Sequence, residues 1–328
     1  MFRKKYSPWI VVAVILVILA AFLWSRTAQT ATVDIPAAMG ESKVEFGEFA
    51  EEYANFPAGY TLQVENGTDL TTDGVVFLEK ANDDLYVQFT NRSQTDSEFV
   101  LKLFLDYSEV DFFIEGVSYS EYEFQLDDGV GVQIPIHLDS QIDLQTSHML
   151  TVGVFAAPNK YASDLDLMSN SYGMVATFEI VSPSGTRTCD TQLQFEEPAK
   201  FLKSQFGGVM LNEDFSEEDT DQVLYPLKEV TLSPGEKKSF AYRLGNYSGE
   251  VLLIVLVDWK QIPLNGADYL AIENKPGYMG FGQVEITAPM EKGKYEVVAF
   301  AVDAPFTPRT ADNFFSHDTA YRFTLSVE

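Results

Sequence analysis

The stretch VLKLFLDYSEV (Val100–Val110) returns later in the same chain as VLLIVLVDWKQ (Val251–Gln261). Each is an apolar run that stops at an aspartate followed by an aromatic residue, Asp106–Tyr107 and then Asp258–Trp259. The likeness extends in both directions. An offset of 155 pairs Val75 with Val230, Phe77 with Leu232, Val87 with Tyr242, Phe89 with Leu244 and Asn91 with Asn246. The offset is 152 at the two Asp–aromatic pairs. It becomes 145 from LTVGVFAAP (Leu150–Pro158) against YEVVAFAVD (Tyr295–Asp303), through to Ala176–Ser182 against Tyr321–Val327. Offsets change where turns are expected, which is how a duplicated fold drifts. A chain that writes one unit twice must fold that unit twice, and two copies make a tandem pair.

Each copy reads as strands. LYVQF places Leu85, Val87 and Phe89 on one face, and TFEIV and RFTLSV alternate in the same way. The two opening runs are more continuously apolar, as in a strand buried mid-sheet. Their Asp marks the exit into water by bonding its own downstream backbone, and the aromatic closes the end of the core. NDD (Asn82–Asp84), DDGVG (Asp127–Gly131), SPGEKK (Ser233–Lys238) and MEKGK (Met290–Lys294) supply turns. The phrase VTLSPGEKKSFAYRLGN (Val230–Asn246) resembles the early strand–turn–strand of bacterial immunoglobulin-like domains. The expected fold class is therefore all-β: two tandem immunoglobulin-like antiparallel β-sandwiches, over 57–183 and 207–328.

A short helix is expected before each copy. Ser42 and Glu45 form a capping box, Phe46, Phe49, Ala50 and Tyr53 follow at helical spacing, and Pro57 stops the element, giving a helix over 42–56. The echo EEPAKFLKSQFGG puts a second helix in the linker 184–206, with Pro198 at its first position.

The N-terminus carries Arg3-Lys4-Lys5 and then an uninterrupted apolar run from Trp9 to Trp24. Sixteen residues span about 24 Å as a helix. That is short of the ~30 Å hydrocarbon core, so a cleaved signal with a secreted body is the alternative. A tryptophan at each end and no good small-x-small cleavage site favour an uncleaved anchor over 1–26, followed by a linker over 27–41. The basic cluster then keeps the N-terminus in the cytoplasm and the body outside it, at a cell surface or in a periplasm. Cys189 is the single cysteine, so no internal disulfide supports the exported body.

The net charge of −27 repels phosphate backbones, so nucleic acid is not an expected partner. His137, His148 and His317 are dispersed, and HExxH, paired CxxC, GxSxG and phosphate-loop patterns are absent. No catalytic residue, metal ligand or cofactor is expected, and the chain reads as a non-enzyme. The acidic NEDFSEEDTD (Asn212–Asp221) and SDLDLMSN (Ser163–Asn170) have oxygens suited to calcium but lack the DxDxDG framework.

Contact residues are sought on the helix face and the loop tips: Phe46, Phe49 and Tyr53; Tyr161 and Tyr172; Tyr278 and Phe281 in the Gly-rich turn KPGYMGFG; and Phe306, Phe314 and Phe315. The loops bearing Tyr161 and Phe306 keep equal length between the copies while their residues differ. The expected function is that of a membrane-anchored extracytoplasmic interaction or scaffold protein facing another envelope protein. The alternatives are a carbohydrate-binding or adhesion module, with or without calcium assistance, and a cell-envelope hydrolase.

Overall fold

In a computed structural model, the residues described are 43–47, 59–66, 73–81, 83–138, 142–165, 173–183, 185, 187, 193–203, 207–215, 227–245, 247, 249–310, 313 and 321–328. They belong to one compact unit, 42–328. The first half contributes β1 (Glu45–Gly47), β2 (Gly59–Glu65), β3 (Val75–Phe77), β4 (Leu85–Arg92), β5 (Ser97–Leu105), β6 (Ser108–Glu109), β7 (Phe112–Ile114), β8 (Val117–Tyr119), β9 (Tyr122–Leu126), β10 (Gly131–Ile136), β11 (His148–Ala156) and β12 (Gly173–Val181). The second contributes β13 (Lys200–Lys203), β14 (Gly208–Asn212), β15 (Glu229–Leu232), β16 (Lys237–Gly245), β17 (Gly249–Val257), β18 (Lys260–Gln261), β19 (Leu270–Asn274), β20 (Tyr278–Thr287), β21 (Gly293–Asp303) and β22 (Tyr321–Val327).

The first half folds into a sheet ordered β1-β10-β4-β2 and another ordered β3-β12-β11-β5-β6, with β9 also paired to β5. The second repeats this strand for strand: β13-β20-β16-β14, and β15-β22-β21-β17-β18 with β19 paired to β17. All of these pairings are antiparallel except β3 with β12 and β15 with β22. In each half the facing sheets share one core. Leu62, Val87, Phe89 and Ile134 meet Leu101, Leu103, Val152 and Phe178 in the first. Leu211, Tyr242, Leu244 and Val284 meet Leu253, Val255, Val297 and Phe323 in the second. The alternation read from LYVQF is the inward face of β4, and the architecture is an all-β pair of sandwiches.

Several expectations change. Residues 45–47 do not begin a helix; they are extended and pair with β10, Glu45 opposite Gln133 and Phe46 opposite Val132. Phe49 and Tyr53 lie outside the described residues. The short helix expected in the linker 184–206, with Pro198 at its first position, is likewise replaced over Lys200–Lys203 by β13, paired to β20 at the equivalent edge. In both places a sheet edge offers backbone partners, and that tertiary gain overrides a local capping signal. Among the described residues the helical element is a single 3-10 turn, Ala162–Asp164. None there is long and apolar enough to cross a membrane, and Trp9–Trp24 lies outside the described residues.

The repeat also needs re-registering. Val76 and Leu78 face the first core as Val230 and Leu232 face the second, so β3 and β15 correspond at 154, with exposed Phe77 matching Thr231. Leu150 pairs with Leu105 and Phe178, and Val297 pairs with Val257 and Phe323. β11 and β21 therefore correspond at 147, while β12 and β22 keep 145. Between equivalent positions, Leu150 to Phe178 in the first copy and Val297 to Phe323 in the second, the second copy is two residues shorter, so the equal spacing expected across this connection does not hold.

Candidate functional site

The doubled apolar run has a structural cause that lies between the sandwiches. Along β5, Phe99, Leu101 and Leu103 face their own core, while Val100 and Phe104 face outward; along β17, Leu253 and Val255 face inward and Leu252, Ile254 and Leu256 outward. The outward residues do not meet water. Together with Phe155, Val298, Phe300 and Val302 they form a third core, a seam joining the two modules face to face. Phe300 stands 5.4 Å from Phe104 and 6.1 Å from Phe155, ring centre to ring centre. A strand buried on both faces can afford no alternation.

The Asp–aromatic pairs build the edge of this seam. Asp106 and Tyr107 have φ of 49° and 71°, and Asp258 and Trp259 have 52° and 62°. These are two-residue turns closing β5–β6 and β17–β18, with both central residues left-handed. Aspartate tolerates that conformation, whereas a bulky aromatic is strained there by about 1–3 kcal/mol. Burial offsets the strain. The Tyr107 hydroxyl donates to the Pro305 carbonyl, and its ring meets Phe306 at 5.3 Å. Trp259 packs on Phe155 at 5.7 Å. Both aromatics thus fill the seam and do not close the end of their own core. Asp106 bonds the neighbouring strand rather than its own downstream backbone: Met149 N–H donates to it at 2.9 Å, and His148 Nδ1 lies 2.7 Å from its other oxygen.

Where the terminal strands β6 and β18 meet, equivalent residues of the two copies bond each other reciprocally. Glu109 N–H donates to Gln261 Oε1, and Gln261 N–H donates to Glu109 Oε2, both at 2.6 Å. Such i-to-j and j-to-i exchange is the mark of a two-fold-like interface. Lys102, fully buried, donates to Glu109 and to the Ser120 carbonyl, whereas its equivalent in the second copy is Ile254.

Three further buried charges, Arg322, Glu296 and Glu179, bond across the seam. Arg322 pairs with Glu296 at 3.0 Å and donates to the carbonyls of Ala156 (2.5 Å) and Lys160 (2.8 Å) of the first module. Its guanidinium also lies 5.1 Å from the Trp259 ring. Glu296 accepts from Ala162 N–H and the Thr324 hydroxyl; burial pushes its carboxyl up, and Arg322 draws it back. Glu179, fully buried on β12, is held by Arg187 Nε (3.2 Å) and Nη2 (2.5 Å) and by Arg309 N–H (2.8 Å). Sequence reasoning passed over these residues. Their signal was a charge inside an alternating strand, as in FVLKLFL, YEVVAF and YRFTLSV.

The hydrogen bond to Asp106 raises the His148 pKa, against burial, which lowers it. A pKa raised on folding contributes stability that is complete below the unfolded value of about 6.5 and fades as pH climbs through the folded one. Denaturant unfolding should show wild type gaining more stability than His148→Gln on going from alkaline to mildly acidic buffer. Parallel pH profiles would sink the assignment. The other ring nitrogen faces the Asp143 backbone at 3.1 Å, so this His–Asp pair is committed to the turn and not to a nucleophile. Among the described residues no group of three or more His, Cys, Asp or Glu is placed to hold a metal ion. The acidic stretches at 216–221 and 166–170 lie outside those residues.

The predicted contact residues scatter. Phe306 packs into the seam against Tyr107 and Phe195 and is not a free loop tip. Phe46 is 57% exposed, Tyr278 41% and Tyr161 37%, and Lys294 Nζ lies 5.6 Å from the Tyr161 ring. Phe281 is half-buried and meets Phe215 edge-on at 76°, while Tyr278 meets Phe201 edge-on at 83°. The turn is confined to Pro276–Gly277, and Tyr278–Gly282 opens β20: a Cβ at Gly282 would lie 2.3 Å from the Tyr242 ring, and one at Gly280 would lie 2.6 Å from Asn274 Oδ1. Tyr172, Phe314 and Phe315 lie outside the described residues.

No family model and no curated protein matches the chain. Among solved structures it is similar to red sea bream transglutaminase, at 12% identity and TM-score 0.22 over 82% of this chain and 31% of that one. It is also similar to fibronectin(III)-like modules of CbhA from Clostridium thermocellum, at 11% identity and TM-score 0.23, covering 82% and 94% of the two chains. A third is the E. coli chaperone DraB, at 9% identity and TM-score 0.26, covering 80% and 98%. The chain spans less than a third of the transglutaminase's length.

Proposed function

We propose that this chain is a membrane-tethered, extracytoplasmic, non-catalytic interaction protein built from two immunoglobulin-like sandwiches, with an envelope protein as partner. The strand order, with a parallel strand at the edge of one sheet, supports the immunoglobulin-like reading. The seam carries the functional reading. It consumes the outward face of one sheet in each module, holds the modules in one mutual orientation, and leaves the other sheets and loop ends for recognition. Phe46 on β1 and Tyr278 on β20 lie on corresponding sheets and stay exposed, so they are the contact residues of choice. The apolar run Trp9–Trp24 behind three basic residues supports the tether.

The test is site-specific photo-crosslinking from positions 46 and 278 of the full chain in its own cell. A discrete protein adduct is expected in the membrane fraction, lost when Phe46→Asp or Tyr278→Asp is introduced beside the crosslinker. If neither position yields an adduct, the interaction reading fails.

A further inference from the structure

The buried charges described above come in pairs: Lys102 with Glu109, Arg322 with Glu296, Arg187 with Glu179. Arg309 departs from this. It is 1% exposed, yet its Nε and Nη2 have no hydrogen-bond partner among the described residues. Its main chain is fixed at the seam, since its N–H donates to Glu179 and its carbonyl accepts from Arg187 Nη2 at 2.8 Å. A guanidinium cannot escape burial by shedding its proton, as a carboxyl or an amine can. Nε and Nη2 also lie on one edge of the guanidinium, the edge that takes two oxygens side by side. Arg187 turns that same edge onto Glu179, so the sister arginine shows what chemistry the edge accepts.

We propose that the Nε–Nη2 edge of Arg309 is a binding site for an oxyanion that offers two oxygens, a carboxylate or a phosphoryl group. The site lies where the segment after β21 of the second module meets β12 of the first. The bound anion would supply the missing counter-charge at the seam and tighten the docking of the modules. Because Arg309 is covered, the ligand enters by local opening of its surroundings.

The experiment is thermal unfolding of the full chain with increasing sodium phosphate or sodium acetate, against sodium chloride at matched ionic strength. A ligand of the folded state raises the melting temperature saturably. Phosphate also stabilises proteins generally by exclusion from their surface, so the readout is wild type minus Arg309→Met. A saturable excess in wild type is expected, with affinity roughly tenfold weaker in Arg309→Lys, whose point charge replaces the fork. A response to phosphate alone assigns a phosphoryl ligand, and one to acetate alone a carboxylate. Should Arg309→Met not fold, calorimetric titration of wild type and Arg309→Lys gives the same comparison. No saturable response in wild type, or equal responses in wild type and Arg309→Met, overturns the proposal.

Discussion

Phe300→Ala should destabilise the protein by about 3–5 kcal/mol, the range for emptying a fully buried phenylalanine site. Phe300 belongs to neither sandwich core: it projects from β21 into the seam, against Phe104 and Phe155. Its loss therefore reports how far the two modules depend on each other. If they form one cooperative unit, denaturant unfolding of the variant keeps a single transition with an earlier midpoint. If the modules merely rest against each other, the unfolding free energy will stay within about 0.5 kcal/mol of wild type, as for a surface change, and the seam loses its standing as a core.

Arg322→Met should cost a similar amount, about 3–5 kcal/mol, for a different reason. The substitution preserves volume but leaves Glu296 buried with no opposing charge, and it deprives the Ala156 and Lys160 carbonyls of their donor. The pH dependence of the loss follows. Burial already raises the Glu296 pKa and Arg322 opposes that rise, so removing the arginine lets it climb further. A carboxyl with a raised folded pKa prefers its proton in the native state, so the variant's deficit should shrink on acidification and widen at neutral pH. Adding Glu296→Gln to Arg322→Met should recover part of the loss, because a neutral amide is cheaper to bury than an unpaired carboxylate. Equal stability of the single and double variants at neutral pH would mean that water already screens this pair.

The fold was legible in the sequence wherever side-chain period and burial agreed. LYVQF alternates because β4 has one core face, and the duplication was visible because both copies bury equivalent positions. Register was harder. A two-residue slide between TVGVFA and VVAFAV keeps every side chain on its face, so the pattern cannot distinguish offset 145 from 147. At β3, both Val75 and Val76 are apolar, so the one-residue choice that decides which faces inward was hidden. The edges misled more seriously: SKVEFGEF satisfies a helix start locally, and only the backbone of β10 explains why Glu45–Gly47 is extended. The seam itself was half written. Continuous apolar character in β5 and β17 said that both faces are buried, but not that each buries the other.

The reciprocal bonds between Glu109 and Gln261 carry an evolutionary consequence. When two identical chains meet across a symmetry axis, any change is inherited by both partners at once, and near the axis it must be compatible with its own image. Joining the two units in one polypeptide removes that obligation. A lysine can then settle at position 102 while position 254 stays isoleucine, and a glutamate can face a glutamine. Each half becomes free to specialise its outer surface while the other maintains the fit.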